Sequence, residues 1–197
     1  MLGAILAGGA SARFGGEPKG LQRVGGERII DRVAAALRAV ADELILIGNA
    51  PDASRWLDGV AVFADARAER GSIIGIHTAL SHATDGALVV AWDMPFVTAS
   101  LLALIAERAT RSPYAAVPES ARGLEPLCAA YTVRCLPFID AAIGEADFRL
   151  SALLDRLPSF ERISQSEVAT LGNPSRLFMN VNTPNDLLLA ARLDAHG

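Results

Sequence analysis

The sequence predicts a three-layer α/β/α domain built on a mostly parallel, Rossmann-like sheet with an antiparallel edge. Apolar runs at 2–6, 44–47, 60–63 and 87–91 are nearly continuous, as in strands buried on both faces. Segments of helical period lie between several of them, and strands alternating with helices of this length imply right-handed crossovers between parallel strands. After residue 111 the rhythm changes to two closely spaced strand-like runs, which supply the antiparallel edge.

Taken in order, the run at 2–6 is the first strand. Residues 28–40 follow as a helix, because Ile29, Ile30, Val33, Ala36, Leu37 and Val40 fall on one stripe. Ser72 is expected to cap a helix passing His77 and ending near Ala83, and Thr98 to cap a helix over 99–108. Strands at 114–118 and 127–132 are joined by a turn around 120–123, and a short helix spans 134–143. Residues 178–182 resemble one more short strand. Thr183-Pro-Asn-Asp186 then starts a last helix with a hydroxyl cap, a proline at its first position and a carboxylate in its first turn, running to about Leu193. No linker, repeat or low-complexity segment interrupts residues 1–197, so a single domain is expected.

Composition narrows the functional classes. Half of the residues are hydrophobic (51%) but only 6% are aromatic, so the core is aliphatic. A net charge of −4 with no basic run argues against a nucleic-acid groove while leaving room for a local cationic pocket. The two cysteines, Cys128 and Cys135, have neither disulfide-framework nor zinc spacing. The apolar start lacks the cation of a signal peptide, and no apolar run approaches the roughly 20 residues of a membrane helix. A soluble, cytoplasmic protein without nucleic-acid or membrane partners is expected.

In an open parallel sheet, ligands gather at the carboxyl ends of the strands. Behind the first strand comes a glycine-rich segment ending at Lys19, the only lysine among eighteen basic residues. It matches neither GxGxxG nor GxxxxGK[ST], which disfavours a dinucleotide fold and a P-loop. Gly8, Gly9, Gly15 and Gly16 would let backbone N–H groups approach a phosphate chain, with Arg13 and Lys19 as counter-charges; the alternative is a plain surface loop. A compact ammonium suits a position between phosphate oxygens better than a planar guanidinium fork. Behind the fourth strand stands Asp93, in Trp92-Asp-Met-Pro-Phe96. A carboxylate closing an apolar run is costly to bury unless it is paired or holds a cation, and a hard oxygen donor beside a phosphate loop points to Mg²⁺. The alternative is a turn residue ahead of Pro95. Asp65 and Asn49 follow the third and second strands at the same rim, where either can hydrogen-bond a base or ribose or simply serve a loop. Asn180 and Asn182 are two apart on the short strand, so both amides are expected on one side, holding substrate or water around the metal. No Ser/His/Asp or Cys/His arrangement stands out.

Leu6-Ala-Gly-Gly-Ala-Ser-Ala-Arg-Phe-Gly-Gly-Glu-Pro-Lys-Gly-Leu21 resembles the LAGGxSxRxGxxK signature of the nucleotidyltransferases, specifically the molybdenum cofactor guanylyltransferase (MobA-like) family. Gly71-Ser-Ile-Ile-Gly-Ile-His-Thr-Ala-Leu80, Trp92-Asp-Met-Pro-Phe96 and Asn180-Val-Asn-Thr-Pro-Asn-Asp-Leu187 are similar to its G-P-L-x-G-I, C-D-M-P-F and N-x-N-T-P-x-D-L segments, so the resemblance covers nearly the whole chain. The resemblance implies the nucleotide-diphospho-sugar transferase-like form of the fold and transfer of GMP from GTP to the terminal phosphate of molybdopterin, releasing pyrophosphate. It implies GTP in the first loop with Leu6, Ala7 and Gly8 near the nucleotide, Lys19 on its phosphates, Asp65 at the guanosine side and Asp93 on Mg²⁺. It also implies transient contact with proteins that deliver or accept the cofactor. Three departures stand out: Trp92 replaces the usual Cys, Ser72 replaces Pro, and Leu124-Glu-Pro-Leu127 stands where some members carry His-Pro. The other readings are a nucleotidyltransferase using CTP or a sugar or polyol phosphate acceptor, and a non-catalytic module that binds nucleotide or cofactor.

Overall fold

The structure is a computed structural model that describes residues 1–8 and 18–195. Strand β1 (Leu2–Leu6) is followed by the two-residue strands β2 (Arg23–Val24) and β3 (Glu27–Arg28), helix α1 (Ile29–Arg38), β4 (Glu43–Ile47), β5 (Ala61–Phe63), α2 (Ser72–Ser81), β6 (Gly86–Ala91) and α3 (Ala99–Ala109). The remainder comprises β7 (Ala115–Ser120), β8 (Gly123–Leu124), β9 (Cys128–Thr132), α4 (Leu136–Gly144), α5 (Leu150–Arg156), β10 (Glu161–Ile163), α6 (Gln165–Ala169), α7 (Pro174–Leu177) and α8 (Pro184–Ala195).

The main sheet runs β10-β7-β9-β6-β1-β4-β5, with β8 paired to β7. Strands β1, β4, β5 and β6 are mutually parallel through the β1·β4, β1·β6 and β4·β5 ladders, and Leu6 is in register with both Ile47 and Ala91. Alternation along each strand sends the side chains to two separate cores. Ile5, Leu46, Leu88 and Val90 pack with α1, α3 and the tryptophans Trp56 and Trp92. Leu2, Ala4, Leu6, Ile45, Ile47, Ala87 and Val89 pack with α2, α4 and α5. The three-layer α/β/α expectation therefore holds. Full burial of Ile5 alone stabilises by about 1.5–3 kcal/mol.

The reversed strand is placed differently from expectation. β9 is antiparallel to both β6 and β7 and lies between them, inside the sheet rather than at its edge. Its Cys128–Tyr131 portion is buried throughout, which suits an interior position. The short β10, which the sequence reading did not anticipate, pairs parallel with β7 and occupies the edge. Its pattern of one buried residue in three tolerates water on one side.

Local chemistry explains the remaining boundaries. Gly25 (φ +59°) and Gly26 (φ +85°) form the turn between β2 and β3, a left-handed pair typical of a type I′ hairpin. The cap of α2 is Gly71 at φ +147°, not Ser72, which is the first helical residue and makes no capping bond. Thr98 does cap α3, its hydroxyl accepting the Leu101 N–H at 3.3 Å. Residues 178–182 form no strand: the Val181 N–H donates to the Asp93 carbonyl at 2.9 Å, a single cross-link instead of a ladder. At α8, the Asp186 carboxylate accepts the N–H groups of Asn182 (3.0 Å) and Thr183 (2.8 Å), while the Thr183 hydroxyl accepts the Asp186 N–H at 3.2 Å, a reciprocal cap.

Two predictions concern stability. A Cβ built on Gly86 would lie 2.5 Å from the Tyr131 carbonyl oxygen and 3.0 Å from the Thr132 Cα, so Gly86→Ala must spread β6 from β9. A loss of roughly 2 kcal/mol is expected, read as a lowered urea midpoint. Arg32 grips Asp194 through two bonds of 2.7 and 3.2 Å, tying α8 to α1, and this guanidinium holds the Asp194 carboxyl below the usual carboxylate range. As pH falls, the unfolded chain binds that proton first. The pair's contribution is therefore whole above about pH 4 and fades below it. Asp194→Asn is expected to flatten part of the acid slope of the urea midpoint while leaving its neutral-pH shape unchanged.

Candidate functional site

Because β1, β4, β5 and β6 are parallel and in register, the residues that follow them emerge along one rim: Ala7 and Gly8, then Gly48 and Asn49, Asp65, and Trp92 with Asp93. The backbone is stitched together just beyond the strands. The Ala7 N–H donates to the Ile47 carbonyl at 2.8 Å, the Gly48 N–H to Phe63 at 2.9 Å, and the Trp92 N–H to Leu6 at 3.2 Å. Leu6 and Ala7 are buried. Gly8 is exposed, and a Cβ there would meet no described atom within 4 Å. Gly9 and Arg13 lie outside the described residues.

The chemistry of this rim centres on Lys19, which starts a 3₁₀ turn, Lys19–Leu21. Its ammonium is ion-paired with Asp93 Oδ2 and donates to Asn182 Oδ1 at 2.9 Å. Side-chain exposure is 15% for Lys19 and 6% for Asp93, so the carboxylate is the more deeply desolvated member. An ionised carboxylate that far from water needs a cationic partner, and here it has one. Three distant stretches thus converge on one ammonium: the segment after β1, the end of β6 and the residues before α8. The Val181 N–H to Asp93 carbonyl bond brings the last two together without using either side chain.

The expected partners divide into two groups. Asn182 joins the cluster, but Asn180 does not: its amide donates to the Phe178 carbonyl at 3.4 Å, because without a strand the two-residue alternation does not apply. Asp65 pairs reciprocally with Asn49, whose Nδ2 donates to Asp65 Oδ2 at 2.6 Å and whose Oδ1 accepts the Asp65 N–H at 2.9 Å. The two residues behind β4 and β5 therefore form one closed unit at the rim, next along the sheet from the Lys19 cluster.

Sequence reasoning missed what lies behind this cluster. Trp92 stacks on Trp56, ring centroids 5.0 Å apart and planes inclined by 19°, and Gly20 sits against the Trp92 ring. Arg122 pins the segment carrying the asparagines through a 2.7 Å bond from Nη2 to the Phe178 carbonyl. The one sequence signal for the first arrangement was a tryptophan beside Asp93 and a glycine beside the sole lysine.

Among the described residues no three His, Cys, Asp or Glu side chains converge as a metal cage. Asp93 and the Asn182 carboxamide oxygen are nevertheless hard donors gathered on one ammonium. That donor set fits a cation taking most of its ligands from phosphate and water, as Mg²⁺ does. Thiol chemistry is disfavoured: burial pushes Cys135 up to about 12 and Cys128 well above the ordinary thiol range, and the two pack on opposite faces of the sheet. No helix among the described residues is long and apolar enough to cross a membrane.

An open, mostly parallel sheet whose first strand is followed in sequence by a glycine-rich segment, and whose rim carries an ammonium and a desolvated carboxylate, defines an α/β domain of the phosphate-handling class. Residues 3–161 match the family described as the MobA-like NTP transferase domain, and the chain belongs to that family of nucleotidyltransferases. A molybdenum cofactor guanylyltransferase from Desulfosudis oleivorans is 33% identical over 187 residues, covering 94% of this chain and 91% of the relative. The crystal structure of molybdopterin-guanine dinucleotide biosynthesis protein A from Archaeoglobus fulgidus superposes with a TM-score of 0.85 at 25% identity, covering both chains fully. A structure of Rv0371c from Mycobacterium tuberculosis in complex with manganese shares the fold at 19% identity, with a TM-score of 0.67 over 97% of each chain.

Proposed function

We propose that this chain is a molybdenum cofactor guanylyltransferase, transferring GMP from GTP to the terminal phosphate of molybdopterin with release of pyrophosphate. The convergence of Lys19, Asp93 and Asn182 on one point of the rim carries the reading, since a polyphosphate chain needs such a point of concentrated charge. The relative from Desulfosudis oleivorans, similar along almost its whole length, supports the choice of nucleotide and acceptor. One domain over 1–197, acting in the cytoplasm with Mg²⁺, is part of the same reading, as is transient contact with proteins that deliver or accept the cofactor.

In this reaction the terminal phosphate of molybdopterin attacks the α-phosphorus of GTP, a P–O bond forms there, and the bond to the β-phosphate breaks with its electron pair leaving on pyrophosphate. No general base is required, because a phosphate monoester with a second pKa near ~6 is already ionised at neutral pH. The nucleotide side is assigned to Leu6, Ala7, Gly8 and Gly9, while the Asn49-braced Asp65 carboxylate accepts from the guanosine. Lys19 and Arg13 neutralise charge on the phosphates. Asn182 holds the acceptor side, whereas Asn180 is turned to the Phe178 carbonyl, and Asp93, with the Asn182 oxygen beside it, would hold the Mg²⁺. When bound, that ion supplies charge neutralisation on the phosphate oxygens. Catalysis on this account is positioning plus electrostatics.

The test is pyrophosphate release in the presence of Mg²⁺ and molybdopterin, comparing GTP, CTP, ATP and UTP. Release with GTP alone is expected. Preference for CTP would move the substrate within the same mechanism, and silence with all four nucleotides would sink the reading.

A further inference from the structure

We infer that Trp92 is the positioning residue for Lys19, acting through Gly20; the inference rests on the phosphate-binding reading of Lys19 given above. Lys19 and Gly20 are adjacent, and so are Asp93 and Trp92. The two pairs meet crosswise: the Lys19 ammonium on the Asp93 carboxylate, and the Gly20 backbone against the Trp92 indole. The first contact draws the ammonium inward. The second sets how closely the Lys19 backbone approaches the end of β6, and hence where the side chain starts.

The fit at the second contact is tight. A Cβ built on Gly20 would lie 2.6 Å from Trp92 Cδ2 and 3.1 Å from Cγ, inside contact distance for ring carbons, so no side chain fits between backbone and ring. The ring itself has little room to retreat. Trp92 is 2% exposed and Trp56, at 4%, is stacked against it. Trp56 is held in turn by its indole N–H, which donates to Asp52 at 3.1 Å. Trp92 stands in the turn just beyond β6, and its backbone N–H is fixed to the Leu6 carbonyl at the end of β1, so this plate is anchored to the sheet by its neighbours. A buried aromatic ring packed against a glycine transmits the position of the β6 end to Lys19 with few soft torsions between. Any side chain at position 20, or loss of the ring at 92, should therefore displace the ammonium while Asp93 stays in place.

The chain offers a direct readout, because Lys19 is its only lysine and the two tryptophans of this stack are its only tryptophans. Lysine carrying ¹³C at Cε, supplied during expression of the full chain, enters only at Lys19 and leaves its three N–H donors intact, so one lysine resonance reports the ammonium's surroundings without reference to turnover. GTP titration with Mg²⁺, followed by quenching of the tryptophan pair, reports affinity on the same samples. In Gly20→Ala the lysine signal is expected to move to the value of a solvated amine, and the Kd for GTP to rise about tenfold. Trp92→Phe, which keeps a flat face, should hold both within about twofold. Gly20→Ala combined with Trp92→Leu, which makes room for the new methyl group, should recover part of both effects; there the lysine signal and calorimetric titration serve as readouts. A lysine signal unchanged in Gly20→Ala, in protein whose melting shows it folded, overturns the inference. A signal that moves while GTP affinity does not upholds the positioning contact and overturns the phosphate role of Lys19 instead. Failure of Gly20→Ala to fold leaves Trp92→Ala to decide: an unmoved lysine signal in that variant overturns the inference, and a moved one supports it.

Discussion

Asp93→Ala is expected to lower kcat/KM for pyrophosphate release by about 10³-fold or more while the chain remains folded. The size follows from removing the deepest carboxylate of the rim and, with it, the hard donor proposed to hold Mg²⁺ and the anchor of Lys19, so charge on the phosphates loses two stabilising elements together. Folding should survive for two reasons. The cross-link from Val181 N–H to residue 93 uses the backbone carbonyl, which alanine keeps. The Lys19 ammonium left without its partner is 15% exposed, so the stability cost is about 3 kcal/mol, at the low end for breaking a buried pair and below the roughly 5–15 kcal/mol of an ordinary domain. Single-turnover kinetics at saturating Mg²⁺ beside far-UV circular dichroism makes the comparison. Retained Mg²⁺-dependent turnover would remove Asp93 from this role.

The second large effect is expected from Lys19→Arg, a change that preserves charge. The ammonium satisfies Asp93 Oδ2 and Asn182 Oδ1 from a single nitrogen. A guanidinium spreads its donors over a planar fork and reaches further, so it can engage the carboxylate bidentately but cannot also present one compact charge to the asparagine oxygen and a phosphate. We expect kcat/KM to fall about 10²-fold, or roughly 2.7 kcal/mol of transition-state stabilisation, with the melting temperature nearly unchanged. Activity within threefold of the parent would mean that net charge alone matters at this position. A chain with arginine at every other basic position already uses the guanidinium where a surface ion pair suffices, as in Arg32–Asp194 and Arg156–Glu145.

Much of the site was readable because its residues sit where regular structure puts them. Continuous apolar runs identify β1, β4, β5 and β6 as buried parallel strands, and the rule that ligands gather beyond such strands singles out Lys19, Asp65 and Asp93 from sequence. Asn180 and Asn182 have the two-residue spacing of strand neighbours, and only Asn182 meets Lys19. Local pattern could not show that residues 178–182 lack a neighbouring edge to pair with. The Gly25-Gly26 turn carried a hairpin signal that went unread, since strands of two residues have no periodicity to detect.

What the sequence by itself determined is the layer architecture, the helix stripes and the rim, because these depend on periodicity and on chemistry within a few residues. The tertiary structure alone decided the interior place of β9, the edge position of β10, the choice of Asn182 over Asn180, and the seating of Gly20 on the Trp92–Trp56 stack. Each depends on which surfaces meet across 70 residues or more of chain, or on competition between strands for the same edge. Such contacts are set by the packing of whole elements in three dimensions, a non-local balance that no window along the chain contains.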